Sequence, residues 1–124
     1  MNLAELISTL IDKTASNKIT WVKIYSKLPG LEGYGSVIQL DEHVKLDVEL
    51  RRPGEIDSRR TGVVITCYHE HINHELINKV FEDSDPGSEM FIELYYLAKS
   101  QVSNNDQDAI DSILDFAINH IKEL

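Results

Sequence analysis

The sequence predicts an α+β fold, in which an N-terminal helix and two C-terminal helices pack on one face of an antiparallel sheet of about four to five strands. Three observations predict this class. Apolar residues recur at helical spacing over 3–11 and again after residue 88, and residues 44–51 alternate between apolar and charged side chains. No segment of helical length separates the central strands, so we expect them to pair antiparallel.

An N-terminal helix is predicted over residues 2–16. One of its faces is apolar and consists of Leu3, Leu6, Ile7, Leu10 and Ile11. From Ile19 onward the chain becomes rich in β-branched and aromatic residues, which favour a strand. Ile19, Trp21 and Tyr25 fall on one face of this extended segment, so the two aromatic rings are predicted to be buried in the core.

Three further strands are predicted in the centre of the chain, over 36–40, 44–51 and 63–68. The middle strand has the strongest pattern, because its alternation predicts one face toward the helices and one toward water. The inward set is Val44, Leu46, Val48 and Leu50, and the outward set is Lys45, Asp47, Glu49 and Arg51. Residues 75–82 suit either a short helix or an edge strand, and we interpret them as a strand.

Two helices are predicted on the C-terminal side, over 88–101 and 106–122. The first carries an apolar face made of Met90, Phe91, Leu94, Tyr95, Leu97 and Ala98. The second begins near Asn105 and Asp106, whose residue types favour helix N-termini. It is predicted to bury Ile110, Ile113, Leu114, Ala117, Ile118 and Ile121. No repeat, low-complexity tract or long linker divides the chain, so residues 1–124 are expected to form one domain.

The order of these segments resembles a loose group of small uncharacterised bacterial proteins. In that group a Gly-Lys-Ile-x-Trp stretch opens the sheet and a Leu-Tyr-x-x-Ala stretch opens the C-terminal helices. This chain has Asn17-Lys18-Ile19-Thr20-Trp21 in the first place, Leu94-Tyr95-Tyr96-Leu97-Ala98 in the second, and an acidic helix over Asp108–Leu114. Asn17 stands where the group has glycine. The resemblance implies a fold order and a bacterial or mobile-element origin, and it implies no active site.

Composition and charge narrow the classes of function. The chain has 124 residues, a net charge of −9 and 42% hydrophobic residues, a balance typical of a globular domain. The negative charge disfavours direct binding to nucleic acid, and the absence of a long apolar run disfavours membrane insertion. The N-terminus lacks the basic and apolar segments of an export signal, and the single Cys67 cannot form an internal disulfide. We therefore expect a cytoplasmic protein.

The densest set of metal-binding side chains begins at Cys67. On a strand, Cys67, His69 and His71 alternate onto one face, and a turn after His71 would bring His74 beside them. Neutral imidazole binds zinc, nickel and copper, and three imidazoles with an open fourth position are used to activate water. The alternative is that these histidines end a strand in a solvated polar turn. A nucleophilic role for Cys67 is disfavoured, because this residue continues the apolar face of its strand.

No motif marks a catalytic site elsewhere, because paired carboxylates are unavoidable in a chain with 21 acidic residues. We therefore expect a non-enzymatic protein-interaction module of the immunity, antagonist or accessory type, with a protein partner of basic character. No cofactor is expected under that hypothesis. The alternative is a metal-binding protein or metal-dependent enzyme that holds zinc through His69, His71 and His74. Pairing of the chain with its own copy, as a homodimer, is a third option.

Overall fold

The computed structural model describes residues 2–25, 32–52, 60–69, 72–82 and 84–124. In chain order these residues form α1 (Leu3–Ala15), β1 (Val22–Tyr25), β2 (Glu32–Gln39), β3 (Val44–Arg52), β4 (Arg60–His69), β5 (Ile72–Glu82) and α2 (Ser88–Lys122). The five strands form one sheet in sequential order, and every neighbouring pair is antiparallel. The predicted α+β class with an antiparallel sheet is therefore confirmed.

The first helix has a defined signal at each end. At its start the Asn2 side chain accepts a hydrogen bond from the Glu5 backbone N–H at 3.0 Å, which satisfies one of the unpaired donors of the first turn. At its end Asn17 adopts a left-handed conformation with φ 57°. The Asn17 and Lys18 N–H groups donate back to the carbonyls of Thr14 and Lys13, the two bonds that close a helix when glycine or asparagine follows it.

The alternation of β3 is confirmed by its burial. Val48 and Leu50 are buried and face Ile65 and Val63 of β4 in the register. We call the side of the sheet that carries these four residues the inner face. Of the four residues predicted to face outward, Lys45 and Arg51 are exposed, and Asp47 and Glu49 are half-buried. Val44 and Leu46 on the inner face are also half-buried.

Both helices contribute to one hydrophobic core on the inner face. The core contains Ile7, Leu10, Trp21, Tyr34, Val48, Leu50, Val63, Ile65, Phe81, Phe91, Leu94, Tyr95 and Ala98. Aromatic pairs join its layers, since Phe81 of β5 stacks on Phe91 of α2 with ring centroids 5.1 Å apart. Tyr34 of β2 meets Tyr95 of α2 edge to face. Trp21 is buried as predicted, and the Tyr25 side chain lies outside the described part of the structure.

The edge strand β5 confirms the interpretation of residues 75–82 as a strand. It begins earlier than predicted, at Ile72, and pairs with β4 along its whole length. The register shifts between Ile65 and Thr66, which marks a bulge. A bulge disrupts an edge locally and so protects it from pairing with other chains.

The prediction of two C-terminal helices is wrong, because one helix of 35 residues runs from Ser88 to Lys122. The predicted break at residues 102–105 relied on the preference of Asn105 and Asp106 for helix N-termini. Neither glycine nor proline occurs between residues 88 and 122, and Ser, Asn and Asp in a helix interior each cost only about 0.7 kcal/mol or less relative to alanine. No helix among the described residues combines the length and the apolar character needed to cross a membrane.

The predicted burial of the last apolar face is also wrong. Ile110, Ile113, Leu114, Ile118 and Ile121 are between 49% and 67% exposed, and Ala117 is half-buried. The periodicity correctly indicates a helix with one apolar side, but a second helix folded back on the sheet would have been needed to bury that side. Since α2 continues without a turn, its C-terminal part does not return to the core.

Candidate protein-interaction site

The two helices run side by side in the same direction. The first turns of both helices line an open groove of about 550 Å³, which Leu3 and Ala4 share with Gly87 and Met90. At the other end of α1, Thr14 contacts the tryptophan that precedes β1, and Gln101 of α2 bonds the same segment. The α1 helix has 13 residues and α2 has 35, so α2 is longer by roughly 33 Å at 1.5 Å per residue.

Gln101 fixes the point where α2 leaves the body of the protein. Its side-chain oxygen accepts a hydrogen bond from the Trp21 backbone N–H at 2.7 Å, and its side-chain nitrogen donates to the Ile19 carbonyl at 2.7 Å. Val102 is the last residue of α2 that packs against the core. We call the helical residues after it, 103–122, the arm.

The arm is exposed along its whole length. Every residue from 103 to 122 is exposed except Ala117, which is half-buried. In the body of the protein an apolar stripe of the same kind, on α1, faces the core and is covered. The difference between the two helices is therefore not in their pattern but in what lies beside them.

One side of the arm is apolar, and we call it the apolar face. Its central residues recur at alternating spacings of four and three, and they are Ile110, Leu114, Ala117, Ile121 and the following Leu124. Ile113 and Ile118 flank them on either side. Phe116 lies about 120° around the helix from the centre of this face, where it is 74% exposed and stacks on His120.

Acidic residues border this face in the N-terminal half of the arm. Four aspartates lie between residues 106 and 115, and no basic residue lies among them. Asp111 accepts a hydrogen bond from the Gln107 side chain at 2.9 Å, one helical turn earlier. The segment 116–122 contains His120 and Lys122 and no acidic residue. The arm is thus polarised along its length, acidic near the body and weakly basic toward Lys122.

The predicted metal ligands are brought together only in part. His74 of β5 lies directly opposite Cys67 of β4, and His69 lies opposite Ile72. Residues that pair directly point to the same side of a sheet, so Cys67, His69 and His74 share the inner face. Both histidines are exposed. Over the ranges that the structure describes, no three His, Cys, Asp or Glu side chains are placed to hold a metal. His71 lies outside those ranges, so the three-histidine site stays a prediction.

The outer face of the sheet is a second uncovered surface. Arg51 forms an ion pair with Glu49, its neighbour on the same face of β3. Burial, and in second place the negative charge of Glu49, raise the pKa of Asp47 above its ordinary value. Val37 of β2 and Val80 of β5 are more than half exposed on the same side. This surface mixes charges of both signs with isolated apolar residues, as solvated sheet faces do.

The groove between the helix N-termini has only two charged residues in its described lining. Its polar lining consists of Glu89 and Glu93, and the rest of its wall includes Ile7, Phe81 and Met90.

The chain was compared with known protein families, curated proteins and solved structures. No protein-family model, curated protein or solved structure matches the chain. The resemblance to small bacterial proteins therefore stays a prediction. Asn17, which stands where that group has glycine, adopts a left-handed backbone. Glycine and asparagine are the residues that best tolerate this conformation.

Proposed function

We propose that this protein is a non-enzymatic protein-interaction module, and that the apolar face of the arm is its contact surface. The observation that carries the proposal is the exposure of five aliphatic side chains in one stripe of a helix that extends beyond the core. The members of this stripe are Ile110, Ile113, Leu114, Ile118 and Ile121. Contiguous apolar surface of this kind marks interaction sites on folded proteins.

The energetic gain from covering this stripe is large for its size. Complete burial of a leucine or isoleucine side chain contributes about 1.5–3 kcal/mol, so burying the exposed half of five such side chains contributes roughly 4–8 kcal/mol. A partner with an apolar stripe of its own would add a similar amount. The sum is comparable to the cost of about 4–15 kcal/mol for bringing two proteins together.

The charge of the chain suits association with a protein of opposite sign. The net charge is −9, and the four aspartates between residues 106 and 115 place part of it beside the apolar face. Complementary charge accelerates encounter and suppresses wrong partners. The net charge of the whole molecule therefore supports a partner of basic character. The distribution of charged residues along the arm determines how well a given partner pairs with the apolar face.

A comparison of two variants tests the proposal. Leu114→Glu places a charge in the apolar face, and Phe116→Glu places the same charge on the opposite side of the same helical turn. Both variants and the wild type carry an affinity tag and are produced in the native cells together with a second, differently tagged copy. Proteins that co-purify after chemical cross-linking are quantified by mass spectrometry.

We expect at least one protein, foreign or the second copy, to co-purify with the wild type and with Phe116→Glu and to be depleted at least about tenfold with Leu114→Glu. Circular dichroism spectra of the three proteins check that the fold is retained. Co-purification profiles that are the same for all three proteins, or that change equally in both variants, would contradict the proposal.

A further inference from the structure

The spacing of the apolar face matches a helix that pairs with another helix. Ile110, Leu114, Ala117, Ile121 and Leu124 follow the alternation of four and three that places residues along one seam of a two-helix contact. A sheet or a flat surface would impose no such spacing. Within the helix, which ends at Lys122, the pattern covers about three turns from Ile110 to Ile121.

We infer that the occupant of the apolar face is the arm of a second copy of this chain, aligned antiparallel. This inference rests on the proposed function but replaces its basic partner with a second copy of the same net charge, because the spacing along the arm is self-complementary. In the antiparallel alignment Ile110 lies across from Ile121 of the second copy, and Leu114 lies across from Ala117. Each large residue at the centre thus meets a small one. The contact is the same from both sides, so it closes as a dimer and leaves no stripe open.

The charges beside the seam select the antiparallel direction. In a parallel pair the residues that approach across the seam are Asp106 and Asp111 of the second copy, and like charges in such positions are repulsive. In the antiparallel pair Asp111 approaches Ile118 instead. The acidic half of each arm then lies along the half of the other that carries His120 and Lys122, with Glu123 as its single acid. Opposed helix dipoles favour the same direction.

The positions of the two bodies also favour this alignment. A parallel pair would hold two bodies at the same end, each with a net charge of −5 from 11 basic and 16 acidic residues over 1–102, and these bodies repel each other. The antiparallel pair places them at opposite ends. Leu124 of the second copy is then level with Gln107, five residues and about 7.5 Å along the helix from Val102, where the body ends. The paired segment 110–121 of each arm therefore begins beyond the residue at which the body of its own copy ends.

Sedimentation equilibrium of the purified full-length protein measures the assembly. We expect the mass to rise with concentration from 14.1 kDa to twice that value, with a dissociation constant in the micromolar range because only about three turns pair. Leu114→Glu should weaken the dimer on the order of 100-fold or more, because a symmetric interface contains each substitution twice. Phe116→Glu should leave the dissociation constant within about threefold, because surface substitutions outside a contact have small effects.

Cysteine cross-linking determines whether the two arms pair parallel or antiparallel. Ile110→Cys and Ile121→Cys are made separately in a Cys67→Ser background and oxidised alone and as a mixture. The antiparallel pair brings residue 110 beside residue 121 within the 4.4–6.8 Å Cα separation that is usual for a disulfide. We expect a disulfide dimer in the mixture and little in either variant alone.

Each other outcome refutes a specific claim: the antiparallel alignment, the identity of the partner or the proposed function. A dimer cross-linked by Ile110→Cys alone is parallel and refutes the alignment. A chain that stays monomeric at all concentrations, but loses a basic protein in native cells when Leu114→Glu is introduced, refutes the second copy and leaves the proposed function standing. A monomer whose co-purification does not respond to Leu114→Glu refutes both.

Discussion

The hydrogen bond between Trp21 and Thr14 should be one of the strongest single contributions to the stability of the body. The indole Nε1 donates to the Thr14 hydroxyl at 2.9 Å, and the two residues are only 1% and 4% exposed. Thr14→Val keeps the side-chain volume but removes the acceptor, so the indole N–H stays buried without a partner. An unsatisfied buried donor costs about 1–3 kcal/mol. The helix propensities of threonine and valine are nearly equal, so α1 itself should be unaffected.

The measurement is urea unfolding followed by far-ultraviolet circular dichroism, because Trp21 is the only tryptophan and one variant removes it. Thr14→Val should lower the free energy of unfolding by about 1–3 kcal/mol, or the melting temperature by roughly 3–12 °C. Thr14→Ser keeps the acceptor and should cost only about 0.8 kcal/mol for the lost methyl group. In a Trp21→Phe background, which has no N–H to satisfy, Thr14→Val should cost nothing further. A cost that is the same in both backgrounds would refute the reasoning.

Three further outcomes follow from particular positions. Asn17→Val should destabilise the fold by about 1–2 kcal/mol, because a β-branched residue does not tolerate the left-handed backbone, and Asn17→Gly should not; thermal melts compare the two. Asp47 has a raised pKa, through burial and then the charge of Glu49, so its ionised form is disfavoured in the folded state. Asp47→Asn should therefore raise the urea midpoint at pH 7, and the gain should shrink as the pH falls through the raised folded-state pKa and vanish below the unfolded-state pKa. Calorimetric zinc titration of protein without a His-tag should show no binding tighter than micromolar; nanomolar binding abolished by His69→Ala or His74→Ala would instead establish the metal site.

The sheet could be predicted from the sequence because its signal is local. The alternation from Val44 to Arg51 indicates which side of β3 faces the core, and Val48 and Leu50 are buried on that side. The same holds for the stripe of α1, whose five apolar residues all face the core or its rim. In these two segments the apolar periodicity matches the observed burial, because the core covers one side of each segment and water covers the other.

The arm could not be predicted because its pattern describes a helix and not its surroundings. Ile110 to Ile121 have the spacing of a buried face, and only the tertiary arrangement decides whether a surface is there to cover it. The uninterrupted run without glycine or proline between residues 88 and 122 was the available signal for a single long helix. That run outweighs the capping preference of Asn105 and Asp106, because cap residues favour a helix start without forcing the preceding helix to stop.

The histidines illustrate a different limit. Which residues face each other across β4 and β5 depends on the bulge between Ile65 and Thr66, and a shift of one residue moves every side chain beyond it to the other face. The sequence contains no separate mark for that bulge. His74 could therefore be placed opposite Cys67 only from the structure.

The arm is best understood as a feature that the isolated body does not need. Its helix is nucleated by the first four turns of α2, which pack on the sheet, so each added residue incurs only the cost of propagation. Its aliphatic residues nonetheless contribute nothing to the core, since none of them is part of it. Exposed apolar surface is a liability for a free monomer, and the places where a sequence departs from the rules for a stable monomer are expected to be functional sites. We therefore propose that a partner covers this face, and its spacing fits the arm of a second copy.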